Sequence, residues 1–196
     1  MSQYFENDET IKSNKKLIKT NIFDKTFSFY TDNGIFSKDE FDYGSKFLLE
    51  SLPKLKGKVL DLGCGYGPIG IILYKNDSSL DIDMIDVNER AILLAKENAL
   101  INSAKVNIYE SNIYEKITSK YDYIITNPPI RAGKEVVKKF LFGAKDYLKK
   151  DGELWFVMRK DHGVKSMIKE LELDFSIKII DKSKGFYVIS SKNIAK

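Results

Sequence analysis

The feature that most constrains this chain is the run KVLDLGCGYGPIG at residues 58–70. Apolar residues around Asp61 predict a buried strand, and Pro68 opens an apolar stretch that suits the first turn of a helix. Three glycines stand at alternate positions between them: Gly63, Gly65 and Gly67. A strand, a glycine-rich turn and a helix amino terminus direct backbone N–H groups at a polar ligand and let it approach closely. The run therefore predicts a ligand-binding strand–turn–helix unit.

Strands and helices alternate along the rest of the chain. Apolar or alternating segments predict further strands at residues 80–87, 106–109, 121–126, 153–158, 175–180 and 186–190. Apolar spacing and turn signals predict helices at residues 46–51, 69–75, 89–102, 135–148 and 164–173, the first capped by Ser45. Strands separated by helices indicate a doubly wound α/β fold, and the last two strands indicate an antiparallel edge. The prediction is a mostly parallel sheet of seven strands.

The amino-terminal part of the chain predicts a β-hairpin extension. KTFSFYT at residues 25–31 alternates aromatic and polar side chains, Asn33-Gly34 is a favoured hairpin turn, and residues 35–37 are expected to return as the second strand. Residues 1–20 are polar and lysine-rich, which indicates an extended segment. The chain is accordingly divided into a lead-in, residues 1–24, and one domain, residues 25–196.

Composition excludes several classes of protein. The chain has 196 residues, enough for one domain with a core, and no apolar run approaches the roughly 20 residues that span a bilayer. Its polar, acidic beginning is unlike a secretory signal. The lone cysteine, Cys64, excludes an internal disulfide, and with the lone histidine, His162, it argues against a Cys/His metal site. We expect a cytoplasmic protein without a metal; the oligomeric state stays open, a monomer included.

The charge of the chain is uneven, although its net value is only +4. Residues 131–196 carry 16 basic and 9 acidic side chains, whereas residues 58–130 carry 7 and 10. A basic carboxyl-terminal third would suit a polyanion such as RNA. Because 29 of the 32 cations are lysines, an ordinary solvated surface explains this charge equally well.

Two kinds of cofactor compete for the glycine-rich turn. GYGPIG at residues 65–70 fits the dinucleotide pattern G-x-G-x-x-G, and Asp86 follows Gly65 by 21 residues. Asp61, however, places a carboxylate beside the glycines, where it would repel a pyrophosphate and attract an ammonium group. Asp86 can accept hydrogen bonds from two ribose hydroxyls. These requirements fit S-adenosylmethionine. The alternative is that the tight turn serves only to pack the helix against the strand.

The run DLGCGYG at residues 61–67 resembles the first motif of class I S-adenosylmethionine-dependent methyltransferases, and the resemblance extends over about residues 25–190. It implies a Rossmann-like methyltransferase fold in which Ser111-Asn112 corresponds to the pair that contacts adenine. Many relatives carry Asp where this chain has Asn112, whose amide oxygen can still accept from the adenine amino group. Cys64 is interpreted as a small filler rather than a nucleophile. The cofactor contacts implied are Asp61, Gly63, Gly65, Gly67, Asp86, Val87 and Asn112.

The motif NPPI at residues 127–130 indicates which group is methylated. The residue before a proline is driven into an extended conformation, and two prolines remove two N–H donors, so carbonyl oxygens are expected to face the pocket. Asn127 adds a side-chain carbonyl. Acceptors for both hydrogens of a planar amino group would turn its lone pair toward the methyl group and supply near-attack geometry. The candidate catalytic residues are Asn127, Pro128, Pro129 and Ile130. Asn127 is also expected to contact the cofactor.

Longer segments narrow the choice of acceptor. NPPIRAGKE at residues 127–135, FDYGS at 41–45 and ELWFVMRK at 153–160 together resemble the bacterial small-subunit rRNA guanine-N2 methyltransferases. That resemblance implies transfer to the exocyclic amine of a guanosine in 16S rRNA, with Ile130 against the base and Gly44 over the cofactor. Better-known members have two tandem methyltransferase-like halves, of which the first is degenerate and binds substrate. This chain has the catalytic half alone, so the nucleotide and the form of the substrate stay open.

Four basic side chains flank the predicted pocket and can hold phosphates beside an everted guanosine, with a solvated surface as the alternative for each: Arg131, Lys134, Arg159 and Lys160. Phe27 and Phe29 are expected to pack on the sheet rather than stack on RNA, and His162 is interpreted as a surface residue.

Two other functions stay open as alternatives. Adenine and glutamine methyltransferases use the same acceptor geometry but commonly carry Tyr or Phe at the position of Ile130. The other alternative is a non-catalytic RNA-binding assembly factor that retains the fold.

Overall fold

A computed structural model describes residues 10, 12–37 and 39–194. The chain begins with an antiparallel hairpin of β1 (Lys16–Ile22) and β2 (Lys25–Thr31), joined by a two-residue turn in which Phe23 and Asp24 both have positive φ. Paired positive φ values match the right-handed twist of the two strands. Part of the predicted lead-in, residues 1–9 and residue 11, lies outside the described residues, and the division at residue 24 stays a prediction.

The predicted hairpin is therefore present, and its strand at residues 25–31 is confirmed, but the partner strand was assigned to the wrong side of it. Residues 16–20, predicted to be extended lead-in, belong to β1, and residues 35–37 form no strand. The cause is Asp32, whose carboxylate accepts hydrogen bonds from the hydroxyl of Ser13 and the backbone N–H of Asn14. These bonds tie the end of β2 to the residues that precede β1, so the chain turns into the body of the protein at Asn33-Gly34 instead of pairing back.

The main sheet has seven strands, as predicted, and it is Rossmann-like. In chain order the strands are β3 (Lys58–Leu62), β4 (Asp81–Asp86), β5 (Asn107–Glu110), β6 (Tyr121–Thr126), β7 (Leu148–Arg159), β8 (Phe175–Ser183) and β9 (Phe186–Asn193). Their order across the sheet is β5-β4-β3-β6-β7-β9-β8. The first five strands in this order, β5, β4, β3, β6 and β7, are parallel to one another, and β9 runs antiparallel to both β7 and β8. The antiparallel edge predicted for the last two strands is confirmed.

Within the described residues, five α-helices cover the two faces of the sheet: α1 (Tyr43–Ser51), α2 (Pro68–Asn76), α3 (Glu89–Ile101), α4 (Lys134–Tyr147) and α5 (Val164–Leu171). One apolar layer joins the first three helices to the hairpin, and the other joins α4 and α5. Adjacent residues of β3 alternate between the layers, with Val59 in the first and Leu60 in the second, as a strand buried on both faces requires. Phe29 of the hairpin is fully buried and meets the Tyr66 ring edge-on at 5.8 Å, so it packs as predicted.

Two element boundaries differ from the prediction for reasons visible in the structure. Helix α1 begins three residues early because Asp42, and not Ser45, caps it by accepting from the backbone N–H of Ser45 at 2.7 Å. Strand β7 begins at Leu148 rather than residue 153. Its first part pairs Leu148 with Tyr121 before a shift in register, and the polar residues 149–152 give no alternation by which a strand could be recognised.

The order of the strands brings two sequence motifs together. The chain leaves β3 toward β4 and β5 on one side, while β6 and β7 lie on the other, so the winding reverses between β3 and β6. In open α/β sheets, ligands bind beyond the carboxyl ends of the strands at such a reversal. The glycine-rich turn follows β3 and the NPPI motif follows β6. None of the helices in the described part of the chain combines the length and the apolar character needed to cross a membrane.

Candidate active site

A cavity of about 440 Å³ opens at the carboxyl ends of the parallel strands. Its walls come from the segments after β3, β4, β5, β6 and β7, from the start of α1, and from Phe186 at the start of β9. The cavity thus lies at the reversal of the sheet, where the glycine-rich turn and the NPPI motif meet. Within the described residues, no group of three or more His, Cys, Asp or Glu side chains comes together as a possible metal site.

The glycine-rich turn forms the floor of the cavity and is tied to the end of β4. The backbone N–H groups of Gly63 and Cys64 donate to the carbonyl of Ile85 at 2.9 and 2.8 Å, and that of Gly65 donates to Asp86 Oδ2 at 2.8 Å. Gly63 and Gly65 line the cavity. Gly65 has φ +56°, and a Cβ atom built on it would meet nothing within 4 Å, so its open side is available to a ligand.

Gly67 has a different role in the same turn. It does not line the cavity but caps α2 with φ +95°, and a Cβ there would lie 3.0 Å from the side chains of Ile71 and Met84. Close packing of α2 on the sheet therefore explains this glycine, while Gly63 and Gly65 face the cavity. Cys64 is buried and burial raises the pKa of its thiol well above the usual value, which suits a filler rather than a nucleophile.

Asp61 lies beneath the turn as a buried acid without a counter-charge. Only 1% of the residue is exposed, its Oδ2 accepts from the backbone N–H of Gly70 at 2.8 Å, and its Oδ1 is buried without a hydrogen-bond partner in the described structure. Burial, with a smaller contribution from the charge of Asp86, raises the pKa of Asp61 to about 7. The environment therefore favours a positive group nearby, although Asp61 does not itself line the cavity.

Asp86 and Val87 line the cavity at the end of β4. Each carboxylate oxygen of Asp86 already accepts one backbone N–H, Oδ2 from Gly65 and Oδ1 from Asn88 at 2.9 Å, and each keeps a second lone pair. Burial raises the pKa of Asp86, opposed by hydrogen bonds from the backbone N–H groups of Asn88, Gly65 and Val87. The bonds hold the carboxylate at one orientation, from which it can accept from two neighbouring hydroxyl groups.

The segment after β5 contributes the neighbours of the predicted adenine contact. Ser111 and Ile113 line the cavity, whereas the exposed side chain of Asn112 does not and donates to Glu115 Oε1 at 2.8 Å. Gly44 does not line the cavity either, although it lies beside Asp42 and Phe186, which do. A Cβ on Gly44 would lie 2.9 Å from the Phe186 ring and 3.1 Å from Asp42 Oδ2, so its absence lets both side chains approach. The contacts of Asn112 and Gly44 with a cofactor stay predictions.

The four residues of the NPPI motif all line the cavity. The side-chain nitrogen of Asn127 donates to Asp42 Oδ2 at 2.9 Å and to Ser45 Oγ at 3.0 Å, which leaves the amide oxygen as the group available to a ligand. The carbonyl of Pro129 accepts from the N–H of Ala132 at 3.0 Å within a short 3₁₀ turn, Ile130–Ala132. The Asn127 side chain and the backbone carbonyl of Pro128 are therefore the acceptors that best suit an amino group.

The predicted basic residues separate into two pairs. Arg131 and Arg159 line the cavity, whereas Lys134 and Lys160 do not. Arg159 makes a two-pronged ion pair with Asp161, at 3.0 and 3.1 Å, and lies 5.3 Å from the centre of the Phe186 ring. The amine of Lys134 contacts Glu170 at 3.2 Å. All four side chains are exposed.

The cavity wall also contains residues that were not proposed as site residues from the sequence. His162, interpreted as a surface residue, is exposed but lines the cavity, and Asp42, Ser45 and Phe186 line it as well. Asp42 and Ser45 precede Asn127 by 85 and 82 residues, so no local pattern connects them. The FDYGS resemblance marks this segment, but it does not indicate contact with the NPPI motif.

The fold and the site define a methyltransferase. The profile of the family described as "methyltransferase small domain" matches residues 26–190, and the chain belongs to that family. The uncharacterized protein YbxB of Bacillus subtilis (strain 168) is 42% identical over 197 residues, which are 97% of this chain and 98% of that protein. Ribosomal RNA small subunit methyltransferase C of Vibrio vulnificus (strain CMCP6) is 40% identical over 128 residues, 63% of this chain but only 38% of that protein.

Solved structures agree with this fold. The structure of Thermus thermophilus 16S rRNA N2 G1207 methyltransferase (RsmC), in complex with AdoMet and guanosine, superposes with a TM-score of 0.82 at 22% identity. The match covers 93% of this chain and 52% of that one, so this chain spans about half of that methyltransferase. A methyltransferase from Pyrococcus furiosus superposes with a TM-score of 0.66, also at 22% identity.

Class I methyltransferases use S-adenosylmethionine, and this compound is the cofactor of the chain. The residues present suit it in three respects. The open side of Gly65 admits a ligand to the floor, and Asp86 offers two oriented acceptors for ribose hydroxyls. Asp61, beneath the floor, has a buried carboxylate oxygen without a hydrogen-bond partner in the described structure, and its negative charge favours a cationic ligand above the turn. A dinucleotide would instead bring its pyrophosphate toward the uncompensated Asp61.

Cofactor affinity is expected to rise about tenfold between about pH 5.5 and 7.5. The pKa of Asp61 is raised to about 7 in the free protein, and a cationic ligand lowers it, so binding releases a proton and strengthens as the pH rises through this range. Calorimetry at several pH values measures the slope. The matched control is Asp61→Asn, whose residual slope reports the titration of the cofactor's own amino group. Equal slopes in the two proteins would contradict the role of Asp61.

Proposed function

We propose that the chain transfers a methyl group from S-adenosylmethionine to the exocyclic N2 of a guanosine in 16S rRNA. The single observation that carries the proposal is the orientation of Asn127: both donors of its amide are engaged by Asp42 and Ser45, so an acceptor is left for the cavity. An acceptor at this position suits a substrate that presents N–H groups. The glycine-rich floor, where the cofactor binds, belongs to the same cavity.

Different residues of the cavity have different roles in the reaction. The Asn127 oxygen and the Pro128 carbonyl accept the two hydrogens of the amine and turn its lone pair out of conjugation, which makes the nitrogen nucleophilic without a strong base. Asp86 holds the ribose of the cofactor, and Ile130 packs against the plane of the base. S-adenosylmethionine, when bound, supplies the electrophilic methyl group. The amine keeps its protons until transfer and then releases one to solvent.

Guanosine in small-subunit rRNA is favoured over the other acceptors by two observations. Relatives such as the Vibrio vulnificus protein are named ribosomal RNA small subunit methyltransferase C, and the Thermus thermophilus enzyme is described with guanosine bound. Ile130 stands where adenine and glutamine enzymes commonly carry an aromatic residue. Such a substrate would place the protein in the cytoplasm, with the ribosomal subunits.

The test is to follow the label from methyl-tritiated S-adenosylmethionine. Purified protein is offered naked 16S rRNA, small ribosomal subunits and ribosome-free soluble protein in separate reactions. The proposal expects label in one of the two rRNA samples and formation of S-adenosylhomocysteine. Label in soluble protein would favour a glutamine methyltransferase, and RNA binding without S-adenosylhomocysteine would favour a non-catalytic assembly factor.

The two arginines of the cavity wall are expected to contact phosphates of the RNA. Exchanging Arg131 and Arg159 together for Gln should weaken RNA binding about tenfold to a hundredfold near physiological salt, and lower the slope of log affinity against log salt by about 2. Lys150→Gln is the control, because this exposed lysine lies beside Gly57 at the amino-terminal ends of the strands and does not line the cavity. Filter binding over a salt series measures both values. An unchanged slope would contradict the contacts; those of Lys134 and Lys160 stay predictions.

A further inference from the structure

The start of helix α1 holds the side chain of Asn127 in place. Asp42 Oδ2 accepts from the Asn127 side chain at 2.9 Å and from the backbone N–H of Ser45 at 2.7 Å, and Ser45 Oγ lies 3.0 Å from the same Asn127 nitrogen. Because Asp42 also caps α1, its carboxylate is fixed by the helix rather than by Asn127 alone. Ser45 is 5% exposed, so its hydroxyl is sheltered from water.

This arrangement decides which way the amide of Asn127 faces. The amide has an acceptor on one side and a donor on the other, and a half turn about its last side-chain bond exchanges them. A carboxylate only accepts, so the nitrogen must face Asp42 and the oxygen must face away from it. Were the amide reversed, its NH2 group would meet the NH2 group of the substrate, donor against donor, and the amine could not be held.

We propose that Asp42 and Ser45 are positioning residues, which hold Asn127 with its oxygen toward the amino group that is methylated. The inference rests on the function proposed above and adds two residues that act through Asn127 rather than by contact with the reacting atoms. It also explains Gly44 between them, since a side chain there would collide with Phe186 and press on Asp42.

The sharpest test is Asp42→Ala, with Asp42→Asn as the conservative variant. Asp42→Ala removes the acceptor that fixes the Asn127 amide, so the turnover number should fall at least about a hundredfold, while the dissociation constant of S-adenosylmethionine stays within about threefold. In Asp42→Asn an amide oxygen at the position of Oδ2 can still accept from both Asn127 and the Ser45 N–H, and asparagine also caps helices, so turnover should be at least about tenfold higher than in Asp42→Ala. Ser45→Ala leaves Asp42 in place and should cost only about threefold to tenfold, and thermal unfolding shows whether each variant is folded.

A double-mutant cycle separates positioning from a merely structural role. If Asp42 acts through Asn127, Asp42→Ala should cost no more than about threefold once position 127 is already alanine, in contrast to its cost in the natural protein. Single-turnover reactions measure the slow variants. An equal fold loss in both backgrounds would overturn the inference.

The orientation of the amide is also measured without activity. The side-chain NH2 resonances of Asn127 are assigned in a ¹⁵N spectrum by their loss in Asn127→Asp. The inference expects them to exchange slowly with water in the natural protein and to shift in Asp42→Ala; unchanged resonances would overturn it. If the natural protein methylates RNA and Asp42→Ala turns over equally fast, the inference fails and the proposed function stands. If the natural protein methylates no RNA, the proposed function fails, and the resonances alone decide whether Asp42 holds Asn127.

Discussion

Replacing Asn127 with alanine is expected to slow methyl transfer to 16S rRNA at least about a thousandfold, with S-adenosylmethionine affinity within about threefold of normal. The substitution removes an acceptor that orients the amine, and orientation of the reacting groups supplies much of the rate in a reaction that needs no strong base. The cofactor contacts proposed at Gly65, in the turn after β3, and at Asp86, at the end of β4, are left intact.

Single-turnover reactions with labelled cofactor measure the rate, and calorimetry measures the affinity. Asn21→Ala is the matched control, because this asparagine is exposed on the amino-terminal hairpin. Its expected rate is that of the unchanged protein. An Asn127→Ala protein that still transfers methyl groups at the normal rate would show that the amine is oriented by other groups.

Replacing Asp86 with alanine is expected to weaken S-adenosylmethionine binding at least about a hundredfold. Two proposed hydrogen bonds to the ribose would be lost, and so would the bonds that Asp86 accepts from the backbone N–H groups of Gly65 and Asn88. The floor of the cavity would then lose its tie to β4 as well as its acceptor. Asp86→Asn retains one acceptor oxygen and should lose only about tenfold.

Asp81→Ala controls for this substitution, since Asp81 occupies the opposite end of the same strand and is largely exposed in an ion pair with Lys58. Calorimetry should find its cofactor affinity unchanged, and thermal unfolding shows whether each variant is folded. A folded Asp86→Ala protein that binds the cofactor normally would remove Asp86 from the site.

The elements that hold the cofactor and the substrate could be predicted from the sequence because their signals are local. Strand β6 begins and ends at the predicted residues, and its end is marked because Asn127 and two prolines follow its apolar run. Strand β1 could not be predicted in the same way. Leu17 is 50% exposed, and the inward side of the strand carries only two apolar residues, Ile18 and Ile22, with a threonine between them, so the alternation is too weak to mark a strand. Its turn, Phe23-Asp24, also lacks the glycine that usually marks such a turn.

The site shows the same limit. Gly65, Asp86 and Asn127 carry recognisable motifs, and all three line the cavity. The side chains that orient Asn127 are separated from it by more than 80 residues, and they meet it only because α1 packs on the sheet, against β7 and β9. A motif can therefore indicate which residue acts, whereas the contacts that fix its orientation depend on the whole fold.

The most direct measurement is the chemical identity of the methylated nucleoside. 16S rRNA from cells that lack the gene, naked or in small subunits, is incubated with the purified protein and trideuteromethyl-labelled S-adenosylmethionine, digested to nucleosides and analysed by mass spectrometry. The account predicts that the label appears in N2-methylguanosine and that Asn127→Ala abolishes it. Label in N6-methyladenosine, or none in the nucleosides of either form of the RNA, would contradict it.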